Sequence, residues 1–116
     1  MDDVTIYHNP RCSNSRGALE ILREAGIEPV VVEYLNSPLD ADTLQYLLDE
    51  MLMSPRELLR EKEAVYAELG LDNPKWSAAE LIDFMVAYPV LINRPIVVTP
   101  KGVRLCRPPE TVREIL

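Results

Sequence analysis

At 116 residues, of which 47% are hydrophobic, the chain can fill one core without the help of disulfides or a structural metal. A formal net charge of -7 excludes nucleic acid and anionic lipid as favoured partners, yet small oxyanions remain open, because nine of the twelve basic residues are arginines with a planar, bidentate fork. The apolar runs are too short to span a membrane, Met1-Asp2-Asp3 lacks the basic region of a signal peptide, and two cysteines, Cys12 and Cys106, do not make a disulfide framework, so a reducing, cytoplasmic setting is expected.

The first predicted element is a strand at Val4 to Tyr7, β-branched and aromatic, which ends at His8 because Asn9-Pro10 turns the chain. Ser13, Asn14 and Ser15 then offer alternative N-caps for a helix whose apolar positions, Ala18, Leu19, Leu22 and Ala25, stop at Gly26. Pro29 to Tyr34 reads as a second strand, and strand, helix and strand in so short a span make a parallel βαβ unit. Ser37-Pro38 looks like a cap and first-turn proline leading into a helix over Thr43 to Met51.

Ser54-Pro55-Arg56-Glu57 is a capping box that opens a short helix holding Leu58, Leu59 and Arg60, and helix is expected to continue from Glu61 through Leu69. A second box, Ser77 to Glu80, starts a helix that must stop near Tyr88-Pro89. Pro95 to Val98 and Val103 to Cys106 flank a turn at Thr99 to Gly102, which makes a hairpin, and Pro108-Pro109 opens a last helix to Leu116. No repeat or linker divides residues 1-116, so they read as one domain with a helical insert at about 38-90. The sum is an α/β, thioredoxin-like layout: a four-stranded mixed sheet with helices on both faces.

Cys12 therefore sits at the mouth of a helix, where unpaired backbone N–H groups and the dipole favour a thiolate. Arg11 and Ser13 make burial as a plain apolar residue awkward, and Arg16 adds positive charge one turn on. In the predicted layout Arg94-Pro95 comes next to the first strand, close to Cys12, and Pro95 is a candidate for a cis bond. A dithiol oxidoreductase would carry its second cysteine three positions after Cys12, but Ser15 stands there. No neighbouring thiol can then resolve a covalent intermediate on Cys12. Cys106, on the last strand, reads as a structural residue.

His8-Asn9-Pro10-Arg11-Cys12-Ser13-Asn14-Ser15-Arg16, then Leu58-Leu59-Arg60, then Leu91 to Pro100 and Arg104-Leu105-Cys106-Arg107-Pro108, closely resemble the glutaredoxin- and glutathione-dependent arsenate reductase family of the thioredoxin-like superfamily. The similarity runs from about Val4 to Leu116. It implies that Cys12 is the nucleophile, that Arg60, Arg94 and Arg107 bind the arsenate oxyanion, and that His8 lowers the pKa of the thiol. Three arginines from separate elements suit an anion of several oxygens, and a protonated His8 would add charge. The resemblance also supplies the missing thiol. Glutathione acts as co-substrate on the Cys12 adduct, arsenite is released, and glutaredoxin reduces the mixed disulfide. No metal and no bound cofactor are implied, and a monomer is expected. Better-known members continue past the last helix with a charged segment; this sequence stops at Leu116, so contacts from such a tail are not expected.

Two other readings stand beside this one. A glutathione-dependent thiol–disulfide reductase would need no arsenate, although a neutral disulfide has no use for three cations. Spx-like regulators that bind RNA polymerase share the superfamily, but they resemble Cys-x-x-Cys switches, and Ser15 breaks that pattern.

Overall fold

Strand β1 (Thr5–Tyr7) is central to a four-stranded mixed sheet of order β2-β1-β3-β4. It pairs in parallel with β2 (Val30–Val32) and antiparallel with β3 (Ile96–Thr99), and β3 pairs antiparallel with β4 (Gly102–Leu105). This computed structural model describes residues 3–116 and resolves two compact units, residues 3–37 with 94–116, and Pro38–Asn93. The βαβ and ββ pieces join as the sequence predicts, with Ile6 opposite Val97 at the middle of the sheet.

β2 is shorter than its run of β-formers. The ladder ends where His8 N–H donates to the Val32 carbonyl, since β1 then turns away at Asn9-Pro10 and the Glu33 carbonyl is taken instead by Asn36 and Ser37 N–H in a turn. Helix α1 (Ser13–Glu24) buries Ala18, Ile21 and Leu22 in a core shared with Val4, Ile6, Val97, Cys106, Val112 and Ile115. It closes in a Schellman motif: Ile27 N–H reaches the Leu22 carbonyl and Gly26 N–H that of Arg23, with Gly26 at φ 81°.

The last element differs from expectation. Pro109–Ile115 is a 3-10 helix, in which Thr111 N–H bonds the Pro108 carbonyl, and the Ile115 carbonyl is captured by the Thr99 hydroxyl at 2.6 Å. A segment so short and so tied at its end tightens instead of forming full α-turns. It packs on α1 closely enough that a Cβ on Gly17 would stand 2.9 Å from Pro109 Cγ.

In the unit Pro38–Asn93, α2 (Ala41–Met51) is capped by Asp40, not Ser37: the Asp40 carboxylate accepts from Thr43 N–H at 2.7 Å, so Pro38 lies ahead of the helix. α3 (Pro55–Leu58) carries the expected capping box but is only one turn long. Leu59 turns extended and forms a β-bridge with Ile92, and Arg60 N–H donates to the Leu91 carbonyl, so Arg60 follows the helix and is not part of it. Helix resumes at α4 (Ala64–Glu68). α5 (Ala78–Ala87) has the second box, formed by Ser77 and Glu80, and a 3-10 turn follows at Pro89–Leu91. Leu44, Leu47, Leu48, Leu58, Leu81, Met85 and Leu91 are among the buried apolar side chains of this unit.

Candidate active site around Cys12

Cys12 is itself the N-cap of α1. Its backbone is extended (φ -92°, ψ 124°) and its carbonyl accepts the first helical bond, from Arg16 N–H at 3.0 Å. Three hydroxyl and amide side chains were candidate caps, but Ser13, Asn14 and Ser15 all lie inside the first turn. The sulfur occupies the place where a capping oxygen would sit.

The turn before it is tied from several sides. Cys12 N–H donates to the Asn9 carbonyl at 3.0 Å, Arg11 N–H to Asn9 Oδ1 at 3.0 Å, and Arg16 Nη1 to the Pro10 carbonyl at 2.9 Å. Asn9 N–H donates in turn to Ser15 Oγ at 3.0 Å, and Ser15 Oγ lies 2.7 Å from His8 Nδ1. His8, Asn9 and Ser15 are all buried. Asn9 is the residue that sequence reasoning undervalued. It was legible as a turn former, since an Asn side chain readily bonds the backbone two residues on, but its link to Ser15 needs the fold.

Burial works to raise the Cys12 thiol, yet the backbone N–H of Ser15, the Arg94 guanidinium and the backbone N–H of Asn14 outweigh it, and the pKa falls below the ordinary cysteine value. The thiol closes no regular capping bond. The amides act because a thiolate is the better acceptor. Arg107 Nη1 stands 3.7 Å from Cys12 Sγ and also donates to the Arg94 carbonyl at 2.9 Å. The Arg94–Pro95 and Arg107–Pro108 bonds are both cis. Cys12, Arg94 and Arg107 thus come together, although they lie on three segments.

His8 is placed differently from what a cationic role requires. Burial lowers its pKa, Glu33 opposes this, and Arg23 and Arg16 push it down further, so the neutral ring is favoured near pH 7. Its resolved partner is the Ser15 hydroxyl. Because Ser15 Oγ already accepts from Asn9 N–H, the hydroxyl proton is free to point at Nδ1 of a neutral imidazole.

Arg60 lies in the unit Pro38–Asn93, held there by Glu63 at 3.2 Å and by Asn93 Oδ1 at 3.3 Å. Cys106 is fully buried in the core, and burial together with Glu114 pushes its thiol up to about 12, which keeps it protonated and inert. Among the described residues no group of three His, Cys, Asp or Glu side chains is arranged to hold a metal ion, and no helix is long and apolar enough to cross a membrane.

The family model described as the ArsC family matches residues 7–115. The chain belongs to the ArsC family. The chain is 53% identical over 116 residues to the protein named arsenate reductase of Escherichia coli (strain K12), covering all of this chain and 82% of that one. It is also 53% identical over 114 residues to a protein of the same strain named uncharacterized protein YfgD, covering 97% of this chain and 96% of that one. The solved structure titled arsenate reductase from Vibrio cholerae superposes with a TM-score of 0.95 at 41% identity, covering 99% and 98% of the two chains. The ArsC fold and the thioredoxin-like sheet described above are therefore one and the same.

Proposed function

We propose that this ArsC-family chain is an arsenate reductase with Cys12 as its nucleophile. The observation that carries the reading is the setting of one sulfur, lowered in pKa at a helix start, faced by Arg107 Nη1 at 3.7 Å and acted on by Arg94. The thiolate attacks arsenic, a sulfur–arsenic bond forms, and an arsenate oxygen leaves as water after taking up protons. Arg94 and Arg107 neutralise the oxyanion as it binds and as charge shifts toward the leaving oxygen. Arg60 as a third cation rests on the resemblance alone.

Glutathione then supplies the second thiol, its thiolate attacking Cys12 sulfur. The sulfur–arsenic bond breaks with its electron pair going to arsenic, which departs as arsenite, and a Cys12–glutathione disulfide remains. Two thiols are oxidised as arsenic gains two electrons. Glutaredoxin reduces the disulfide and restores Cys12. Ser15 supports the need for outside thiols, because its hydroxyl is bound up with His8 and Asn9 where a resolving cysteine would otherwise stand. His8 acts through Ser15, by fixing the turn of helix whose amides face the sulfur. The enzyme is proposed to work as a monomer in the cytoplasm, where glutathione is kept reduced.

The test is NADPH consumption with arsenate, glutathione, glutaredoxin and glutathione reductase, wild type against Cys12→Ser. Arsenate-dependent turnover that vanishes in the variant is expected. Folded wild type that forms a glutathione adduct but never turns over arsenate would replace this reading with plain thiol exchange.

A further inference from the structure

The unit Pro38–Asn93 carries an aromatic groove that the arsenate chemistry leaves unused. Trp76, Glu80, Asp83, Phe84, Ala87 and Tyr88 line an open volume of about 380 Å³. Trp76 is the chain's one tryptophan and Phe84 its one phenylalanine, so a sequence poor in large aromatics places both here. The indole is fixed: its Nε1–H donates to the Gly70 carbonyl at 2.9 Å, and Phe84 meets it edge to face with centroids 4.9 Å apart. Tyr88 is 42% exposed at the groove's end.

Two carboxylates stand among these rings. Glu80 is locked by its bond from Ser77 N–H at 2.9 Å, which also holds its carboxyl below the usual range, and Asp83 lies exposed on the same helix. A cation of this chain already contacts the indole. Lys75 Nζ lies 4.6 Å from the Trp76 ring centroid, in the geometry of a cation–π contact. Since Lys75 is an exposed side chain on a flexible stem, its ammonium can leave the indole to another cation.

We propose that this groove is a docking site for a lysine or arginine side chain of a partner protein, the cation lying against Trp76 and Tyr88 with Glu80 and Asp83 as counter-charges. Charge complementarity argues for that occupant over an apolar one: carboxylates border the rings, the chain as a whole carries -7, and the cation now in contact is its own.

The lone tryptophan gives a direct readout. The full-length protein is titrated at low salt with acetyl-Gly-Gly-Lys-Gly-Gly-amide, following Trp76 fluorescence, and with the same peptide carrying norleucine for lysine. A saturable change with the lysine peptide alone is expected, tightened about two- to five-fold by Lys75→Met and weakened to a similar extent by Asp83→Asn. Arsenate turnover should be unchanged in both variants, which checks that they fold. An equal response to norleucine, no response in either wild type or Lys75→Met, or a response that survives Asp83→Asn combined with Tyr88→Ala would each overturn the proposal.

Discussion

Arg107 links the nucleophile to the segment that carries the second arginine: one nitrogen, Nη1, lies 3.7 Å from Cys12 Sγ and 2.9 Å from the Arg94 carbonyl. Removing that guanidinium takes away a cation beside the sulfur and the donor that holds the Arg94 backbone. Arg107→Ala should therefore raise the arsenate concentration needed for half-maximal turnover by about 10- to 150-fold, the range for a lost hydrogen bond to a charged group. Steady-state kinetics with wild type, Arg107→Ala and Arg107→Lys will show it, and the lysine variant should recover only part, because it lacks the fork.

The lowered pKa of Cys12 sets the pH dependence of its reactivity. Alkylation by iodoacetamide proceeds through the thiolate, so its rate should rise with pH and level off, with a midpoint below the ordinary cysteine value of about 8.5. Arg94→Gln should move that midpoint up, since the guanidinium stabilises only the charged form. Mass spectrometry should find Cys106 unmodified in the native protein. Fast native alkylation of Cys106 would contradict its place in the core.

Ser15→Ala leaves a buried amide and a buried imidazole nitrogen without the hydroxyl they share. A loss of about 1–3 kcal/mol of stability is expected. Urea unfolding measures it, and Ser15→Thr should restore part of the loss if its extra methyl can be housed.

His8 also makes stability fall in acid. Its pKa is lowered in the folded chain, so the unfolded chain binds the proton more tightly. Stability from this group is complete above the unfolded value of about 6.5 and is lost as pH falls from there toward the folded pKa. The unfolding midpoint of wild type should drop over that window more steeply than that of His8→Gln. Parallel curves would mean that His8 is not the titrating group.

Gly17→Ala runs against helix propensity. Alanine favours a helix interior by about 1 kcal/mol over glycine, but the new Cβ would meet the rigid Pro109 ring at 2.9 Å. The substitution should lower thermal stability. It should also weaken arsenate turnover, because Pro109 follows Arg107 by two residues and the shift would reach the guanidinium.

What the sequence made legible was mainly what short-range patterns decide. Both capping boxes, the hairpin and the βαβ unit could be read because β-branched runs, serine caps and prolines act on near neighbours. Arg60 shows where this fails. Leu58-Leu59-Arg60 has a helical look, but Leu59 is drawn into a bridge with Ile92, a partner far along the chain that no local pattern announces. At the candidate site, Cys12, Arg94 and Arg107 were each visible as residues, whereas the cap position of the sulfur and the His8–Ser15–Asn9 chain depend on how a buried loop satisfies its donors. The protonation of His8 is hidden from the sequence for the same reason: burial outweighs Glu33, which favours the proton.

The capping position of Cys12 has one more consequence. A serine or aspartate cap offers its helix the same acceptor at all times, but this helix begins on an atom whose bonding changes during each round of the proposed chemistry. As thiolate, arsenic adduct or glutathione disulfide, the sulfur presents a different charge to the amides of Asn14 and Ser15. The fraying of the first turn of α1, read as hydrogen exchange at those two amides, should therefore report which covalent state the enzyme is in.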